Sequence, residues 1–313
     1  MQKPSHLRDA SIDIIKIIAT FAVITIHLSG YGLYEFEIGS TGWISAAFWD
    51  TITRFAVPSF LMCTGALMLS PERDLPIKRL INSYFLRILV ILLFWAFAYR
   101  LVLGVGTAYL SGEGFNFKIF ADSVTDVLMF RHHTHLYYLQ LLLLCYILLP
   151  PIRHYVKTAS STLLDYTALL FASLAIVLPT LFMFFPFSQI GDFIKLYGIN
   201  MTYRAVGYMF FGYYLYKAPP NPSRLWIYIV SFVIGFALVF GLTWFLSLRS
   251  GSVYTDILGG MTLGPLLMSY GLFEAVRALS LGRAASRRLV YISSLTFGIY
   301  LIHHFFVMAF RQF

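Results

Sequence analysis

The chain has 313 residues, of which 59% are apolar and only 12% are charged, whereas a soluble globular domain usually carries about 25% charged residues. This composition excludes a soluble domain and a disordered chain, because one core of this size cannot bury so much apolar surface. The net charge of +9 comes from basic residues that lie in short clusters between long apolar blocks. Such spacing is typical of the loops of a multi-pass membrane protein, so no nucleic-acid partner is expected.

Nine apolar blocks come close to the length of about 20 residues that a membrane-spanning helix needs. In chain order they cover residues 12–33, 43–69, 80–105, 136–150, 163–185, 196–216, 225–246, 257–279 and 289–310. The fourth block is short, and residues 122–131 before it are interpreted as an amphipathic surface helix. The predicted fold is an all-α transmembrane bundle of about nine spans, which forms a single domain over residues 1–313 in the lipid bilayer.

The distribution of Lys and Arg over the loops predicts the orientation, since cytoplasmic loops carry the excess of basic residues. The amino terminus and every second loop hold most of these residues, whereas the loop with Glu35 and Glu37 holds neither Lys nor Arg. We therefore expect the amino terminus to be cytoplasmic and, with nine spans, the carboxyl terminus to lie outside.

Two ionisable residues define one stripe of the first helix. His27 follows Lys16 by eleven residues, which corresponds to a rise of about 16 Å and a return to within about 20° of the same face. Asp13, three residues before Lys16, is placed to pair with it. Lys16 is interpreted either as an anion ligand or as a side chain that extends to the interface. His27 is interpreted as a proton-transfer group or as an imidazole that forms hydrogen bonds between helices.

The second block contains Arg54 and, four residues later, Pro58. Because proline has no N–H, it is predicted to interrupt the helix at Arg54. No local partner for Arg54 is evident from the sequence. A guanidinium suits a planar anion such as a carboxylate or phosphate, and an ion pair inside the bundle is the equally weighted alternative.

The remaining histidines are grouped in two places. The segment from Arg131 to His135 resembles a metal-binding tract, but it has no adjacent acidic partner, so His135 is expected to point inward without a metal. Of His303 and His304 in the last block, one is expected to face protein and the other an interface. No metal is expected. These residues alone permit either an enzyme or a transporter.

Five sequence motifs, in this order along the chain, resemble those of the integral-membrane acyltransferase type 3 family, which includes bacterial O-acetyltransferases of surface polysaccharides. They are Lys16 with His27, Val57 to Gly65, Arg87 to Trp95, His135 to Leu139, and Ile292 to His303. The chain departs from the family pattern where Lys16 and Tyr84 replace arginines, Thr64 replaces a serine and Tyr137 replaces a tryptophan. In length, and in having no soluble domain, the chain is most similar to the branch that acetylates enterobacterial common antigen. The family usually has ten helices, so a final helix is expected to be absent, either by truncation or because the chain is naturally short.

The resemblance implies acetyl transfer from cytoplasmic acetyl-CoA to a hydroxyl of a glycan or lipid-linked saccharide outside the bacterial cytoplasmic (inner) membrane. It implies that His27 is the general base or is transiently acylated, and that Arg79, Arg87 and Lys16 bind the CoA phosphates or pantetheine arm. Arg54, His135 and His303 are expected on the substrate and oxyanion side. Two alternatives stay open: a transporter or flippase for a glycan or small anion, and a non-catalytic subunit of a polysaccharide export complex.

Overall fold

The computed structural model describes residues 9–129, 131, 134–184, 187–190, 198, 200–279 and 285–310. Over these residues the chain forms ten helices and no strand, so the predicted all-α fold is confirmed. In chain order the helices are α1 (Ala10–Glu35), α2 (Thr41–Met68), α3 (Ile77–Leu110), α4 (Phe117–Leu128), α5 (Tyr137–Thr158), α6 (Ser161–Leu181), α7 (Met201–Lys217), α8 (Pro222–Ser250), α9 (Leu263–Leu279) and α10 (Arg287–Phe310).

Among the described residues, seven helices are long and apolar enough to cross a membrane, and they are α1, α2, α3, α5, α6, α8 and α10. The other two predicted spans form α7 and α9, which have 17 residues each. Of the about nine predicted spans, seven therefore form helices of spanning length in the described residues and two form shorter helices. For α9 the reason is local, because residues Asp256–Leu258 form a 3-10 turn and the α-helix begins only at Leu263. The predicted surface helix is present as α4.

Polar side chains at the helix starts take up backbone N–H groups that have no partner within the helix. Asp9 precedes α1 and accepts a hydrogen bond from the N–H of Ser11 at 2.9 Å. Ser40 precedes α2 and accepts one from the N–H of Trp43 at 3.2 Å. These caps fix where α1 and α2 begin, on either side of the short loop that joins them.

Helix α2 is interrupted in its middle. Its first half ends at Ile52, its second half begins at Ala56, and a turn joins them. Pro58 has no N–H to bond the carbonyl of Arg54 one turn earlier, so the predicted interruption at Arg54 is confirmed. Helices α3 and α6 each contain a π-helical stretch, at Ile81–Phe85 and Phe171–Val177, which the sequence did not predict.

The chain forms two compact units. The first consists of Met1–Pro71 and Ile152–Phe313, and the second of Glu72–Pro151. Within the first unit, α1 packs against α2 and α10, α8 packs against α9, and α7 packs against the second half of α2. Within the second unit, α3 packs against α4.

The second half of α2 and helix α7 touch backbone to backbone. A methyl group added to Gly65 would overlap the carbonyl oxygen of Met209, and one added to Gly212 would overlap that of Met62. Small residues permit such close approach between membrane helices, where packing drives association. This contact anchors the half of α2 that follows Arg54.

Helix α1 is held by α2 on one side and α10 on the other. The indole N–H of the buried Trp43 donates to the carbonyl of Leu33 at 3.2 Å and ties the start of α2 to the end of α1. The hydroxyl of Ser293 on α10 donates to the buried carboxylate of Asp13 at 2.6 Å. Because His27 also lies beside His303, α1 and α10 run parallel over most of their length.

Candidate active site

Three histidines meet where α1 and α10 pack together. The ring of His27 lies 5.2 Å from that of His303 and 5.1 Å from that of His304, centroid to centroid. His303 and His304 are 4% and 3% exposed, and His27 is half-buried. The expectation that one of His303 and His304 faces an interface is therefore wrong. Consecutive residues point about 100° apart on a helix, and His27 lies between the two directions, so both rings reach it.

The proton position on His303 follows from its hydrogen bond. Its Nδ1 lies 2.6 Å from the carbonyl oxygen of Tyr300. A carbonyl oxygen only accepts, so Nδ1 carries the hydrogen and Nε2 of the neutral ring carries the lone pair. This contact fixes both the tautomer and the orientation of the ring.

Arg54 forms an ion pair with Asp50, one turn earlier on α2. The Nε of Arg54 donates to Oδ2 of Asp50 at 2.7 Å, and Nη2 contacts the same oxygen. The expectation that Arg54 has no local partner is therefore wrong, since four residues is the spacing of a helical ion pair. The Asp50 side chain is fully buried and that of Arg54 is 20% exposed. The pair explains how α2 accommodates a guanidinium within an apolar bundle.

This ion pair lies beside α1 close to His27. A methyl group on Gly30 would lie 3.7 Å from Oδ1 of Asp50, and Gly30 is about one helical turn beyond His27. Helix α2 follows α1 after a short loop and runs antiparallel to it. Arg54, four residues after Asp50, is therefore displaced by about one turn toward the amino-terminal end of α1, in the direction of His27. The imidazole and the guanidinium therefore occupy neighbouring levels of the α1–α2 pair.

Lys16 occupies the amino-terminal half of the same helix. Its side chain is half-buried and lies within electrostatic range of Cys63 on the second half of α2. Asp13 receives the hydroxyl of Ser293, and no described carboxylate forms an ion pair with Lys16. The predicted pairing of Asp13 with Lys16 is therefore wrong, because α10 supplies a closer partner for the carboxylate.

A cavity of about 660 Å³ opens at the carboxyl-terminal end of α1, and we call it the aromatic pocket. It begins next to His27, at Thr25 and Leu28. Its wall combines aromatic rings with hydroxyl and carboxylate groups, among them Ser29, Tyr31, Glu35, Phe36, Ser45 and Trp49. The lining includes Thr25 and Leu28, which flank His27 in the sequence, but not His27 itself.

A second cavity, of about 530 Å³, lies where α7 ends, and we call it the tyrosine pocket. Its lining includes three tyrosines, two basic residues and two acidic residues: Tyr214, Tyr228, Tyr270, Lys217, Arg224, Asp165 and Glu274. Nearby, the hydroxyl of Tyr216 donates to the carboxylate of Asp9, the cap of α1, at 2.9 Å. The tyrosine pocket is thus close to the amino-terminal end of α1, whereas the aromatic pocket lies at its other end.

Three further residues from the predicted site belong to the second unit. His135 is buried there, with its ring edge-on to Tyr99 at 4.5 Å between centroids. Arg79 and Arg87 are exposed on either side of the π-helical stretch of α3. His27, Lys16, Arg54 and His303 are all in the first unit. His132 and His133 of the histidine tract lie outside the described residues.

Comparison with known proteins gives the family. A family model described as an acyltransferase domain matches residues 9–313. The chain belongs to the acyltransferase type 3 family. No curated protein and no solved structure matches it. The protein is thus a multi-pass membrane acyltransferase, with the family match covering both of its compact units.

Two residues of the candidate site were missed in the sequence. Asp50 lies at an ion-pair spacing from Arg54, so a search for acidic residues four positions away would have found it. No sequence signal assigns His304 to the site, because it lies 277 positions after His27 and only the packing of α10 brings the two together. Within the described residues of the acyltransferase, His27, His303 and His304 also form a group with the geometry to hold a metal ion.

Proposed function

We propose that the protein transfers an acetyl group from acetyl-CoA to a hydroxyl of a glycan or lipid-linked saccharide on the outer side of the bacterial cytoplasmic membrane. Membership of an acyltransferase family supports the reaction class. The observation that carries the residue assignment is the half-buried imidazole of His27, which lies between the buried histidines of α10 and next to the aromatic pocket. Imidazole is the side chain best matched to proton transfer near neutral pH.

In the proposed reaction, a ring nitrogen of His27 takes the proton of the acceptor hydroxyl. The hydroxyl oxygen attacks the thioester carbonyl, and the C–S bond breaks. The sulfur of CoA leaves as a thiol by taking the proton from His27. A transient acyl-histidine is the other route to the same products. A positioned general base contributes about 10²–10⁴-fold to the rate of such a reaction.

Arg54 is proposed to stabilise the negative charge that develops on the thioester oxygen. Asp50 engages Nε and Nη2 of the guanidinium, which holds its plane and leaves Nη1 for a substrate oxygen. A preorganised donor of this kind is worth more in a site from which water is excluded. The packing of Asp50 against Gly30, about one turn beyond His27 on α1, supports this assignment.

The aromatic pocket is proposed to bind the acceptor. The apolar faces of sugar rings pack against aromatic side chains such as Tyr31 and Trp49, while hydroxyl and carboxylate groups such as Ser29 and Glu35 bind sugar hydroxyls. The loop that follows α1 has no Lys or Arg, which supports an extracytoplasmic location for this end. An acceptor bound there would present a hydroxyl to His27.

The donor is proposed to enter from the opposite, cytoplasmic end of α1. Lys16 is proposed to bind the CoA phosphates or the pantetheine arm. The same role for Arg79 and Arg87 in the second unit stays a prediction from the family resemblance. The tyrosine pocket adds aromatic rings that suit an adenine base at the same end of α1, where two basic side chains are balanced by two acidic ones. The resemblance to the branch that acetylates enterobacterial common antigen predicts a glycan of that kind as the acceptor, and this stays a prediction.

Deletion of the gene in its source bacterium tests the proposal. Mass spectrometry of the surface glycans should show the loss of one acetyl mass, and the mass should return with a plasmid-borne copy of the wild-type gene. Glycans that keep every acetyl group after deletion would contradict the proposed function. Purified protein in detergent should also melt at a higher temperature with acetyl-CoA. Pantetheine, which lacks the nucleotide and the phosphates, is the control and should raise the melting temperature less.

A further inference from the structure

We propose that His27, His303 and His304 bind a divalent transition metal such as Zn²⁺, and that the bound metal blocks the proton-transfer role of His27. The metal site follows from the side chains of α1 and α10 alone. Only the blocking effect rests on the proposed function. No sequence pattern predicts a metal here, because the ligands come from opposite ends of the chain.

The three histidine rings are close enough together to bind a single ion. One ligand nitrogen from each of the three histidines lies within 4.8 Å of the other two, and the rings of His303 and His304 are 6.0 Å apart between centroids. Zn–N bonds of about 2.0–2.1 Å in a tetrahedral site put two ligand nitrogens about 3.3 Å apart. The nitrogens therefore have to approach by at most about 1.5 Å to bind one ion.

The hydrogen bond of His303 carries the second step. Its Nδ1 donates to the backbone carbonyl of Tyr300 at 2.6 Å, so the lone pair is on Nε2. Histidines that bind metals characteristically donate their other ring N–H to a carbonyl or carboxylate, which orients the ring and raises its basicity. His303 is thus in the tautomer that offers Nε2 as the ligand atom.

The residue types select the metal. Three imidazoles without a thiolate or carboxylate suit Zn²⁺, Co²⁺, Ni²⁺ or Cu²⁺ rather than Mg²⁺ or Ca²⁺, which prefer oxygen ligands. Three histidines leave a fourth tetrahedral position for water. The half-buried His27, with the aromatic pocket beside it, provides the route of entry for the ion.

Metal binding and proton transfer compete for the same lone pair. When the lone pair of His27 is bound to a metal, the ring can no longer accept the proton of a hydroxyl. The site therefore makes acyl transfer sensitive to free zinc, with inhibition that a chelator reverses.

Co²⁺ titration of tag-free protein tests the site, because tetrahedral Co²⁺ absorbs visible light strongly. Chelator-treated wild-type protein in detergent should bind an equimolar amount of Co²⁺ with this absorption. His304→Gln and His27→Gln should each weaken binding by at least about 100-fold. His154→Gln is the matched control, since His154 is exposed on α5 and should leave the titration unchanged. Thermal melting of each variant shows that it is folded, and His304→Asn replaces His304→Gln if the latter is not.

A wild-type titration without saturable absorption would overturn the metal site, as would equal binding by the wild type and all cluster variants. Neither result affects the proposed function, which depends on acetyl transfer by the chelator-treated protein. If the site binds Co²⁺ but saturating Zn²⁺ leaves the rate of acetyl transfer unchanged, the blocking role is overturned. We expect at least a tenfold loss of rate.

Discussion

Variants of the Arg54–Asp50 ion pair can distinguish the structural role of Arg54 from its proposed catalytic role. Arg54→Met should destabilise the protein, because it leaves the buried carboxylate without a counter-ion. Loss of one partner of a buried pair costs up to about 3–5 kcal/mol, and the partial exposure of Arg54 lowers that figure. The double variant Asp50→Asn with Arg54→Met should recover most of the melting temperature but not the acetyl-transfer activity. Recovered activity in the double variant would remove Arg54 from the reaction.

Lys16 is the second residue whose role a conservative change tests. Lys16→Arg should keep or raise the acetyl-transfer rate, since guanidinium binds phosphate in a bidentate way and the family has arginine at this position. Lys16→Met should raise the KM for acetyl-CoA with a smaller effect on kcat. An inactive but folded arginine variant would contradict anion binding by Lys16.

At the level of single residues, the sequence predicted groups whose members lie close together on one helix. The eleven-residue spacing of Lys16 and His27 identified a stripe of α1 without any knowledge of neighbouring helices. The partners of those residues were not predictable, because Ser293, His303 and His304 are joined to α1 only by the packing of α10. Asp13 illustrates this limit, since its nearest cation in sequence is not its partner in the structure.

At the level of elements, the backbone contact between α2 and α7 has a clear consequence for stability. Gly65→Ala should lower the melting temperature, because the added methyl group meets the carbonyl of Met209 and forces the helices apart, at a cost of about 1–3 kcal/mol. Gly241→Ala on α8 is the control, since nothing lies within 4 Å of its added methyl group and alanine favours the helix. Equal melting temperatures for both variants would contradict the contact.

The elements also show which breaks in a helix the sequence predicts. The interruption of α2 was predictable because Pro58 removes a specific hydrogen-bond donor. The π-helical stretch of α3 contains neither proline nor glycine, so it had no such signal. In α6, Pro179 removes the donor to the carbonyl of Ala175 within the stretch, a signal that was overlooked in the sequence. The late start of α9 was also missed, because residues 257–262 are largely apolar although the α-helix does not include them.

At the level of the whole molecule, the proposed donor and acceptor ends of α1 depend on the predicted orientation of the protein in the membrane. Cys63 and Cys145 are both buried, so an introduced exposed cysteine should dominate labelling. In intact cells a membrane-impermeant maleimide should label Glu37→Cys, whereas Lys78→Cys should react only after the membrane is permeabilised. The reverse pattern would exchange the proposed donor and acceptor ends.

The class of fold was the most predictable property of the whole chain. Length and hydropathy are properties of each segment alone, so all nine apolar blocks were identified and all contain helix. The parallel packing of α10 on α1 was not predictable, because no local pattern specifies which helices become neighbours. The proposed site depends on this long-range contact.

The central claim is that the imidazole of His27 takes the proton of the acceptor. The most direct measurement is the acetyl content of the surface glycan in a deletion strain complemented with His27→Ala, at wild-type levels of protein in the membrane and with an unchanged melting temperature. We predict a rate of acetylation lower by about 10²–10⁴-fold. Acetylation at the wild-type rate would contradict the account.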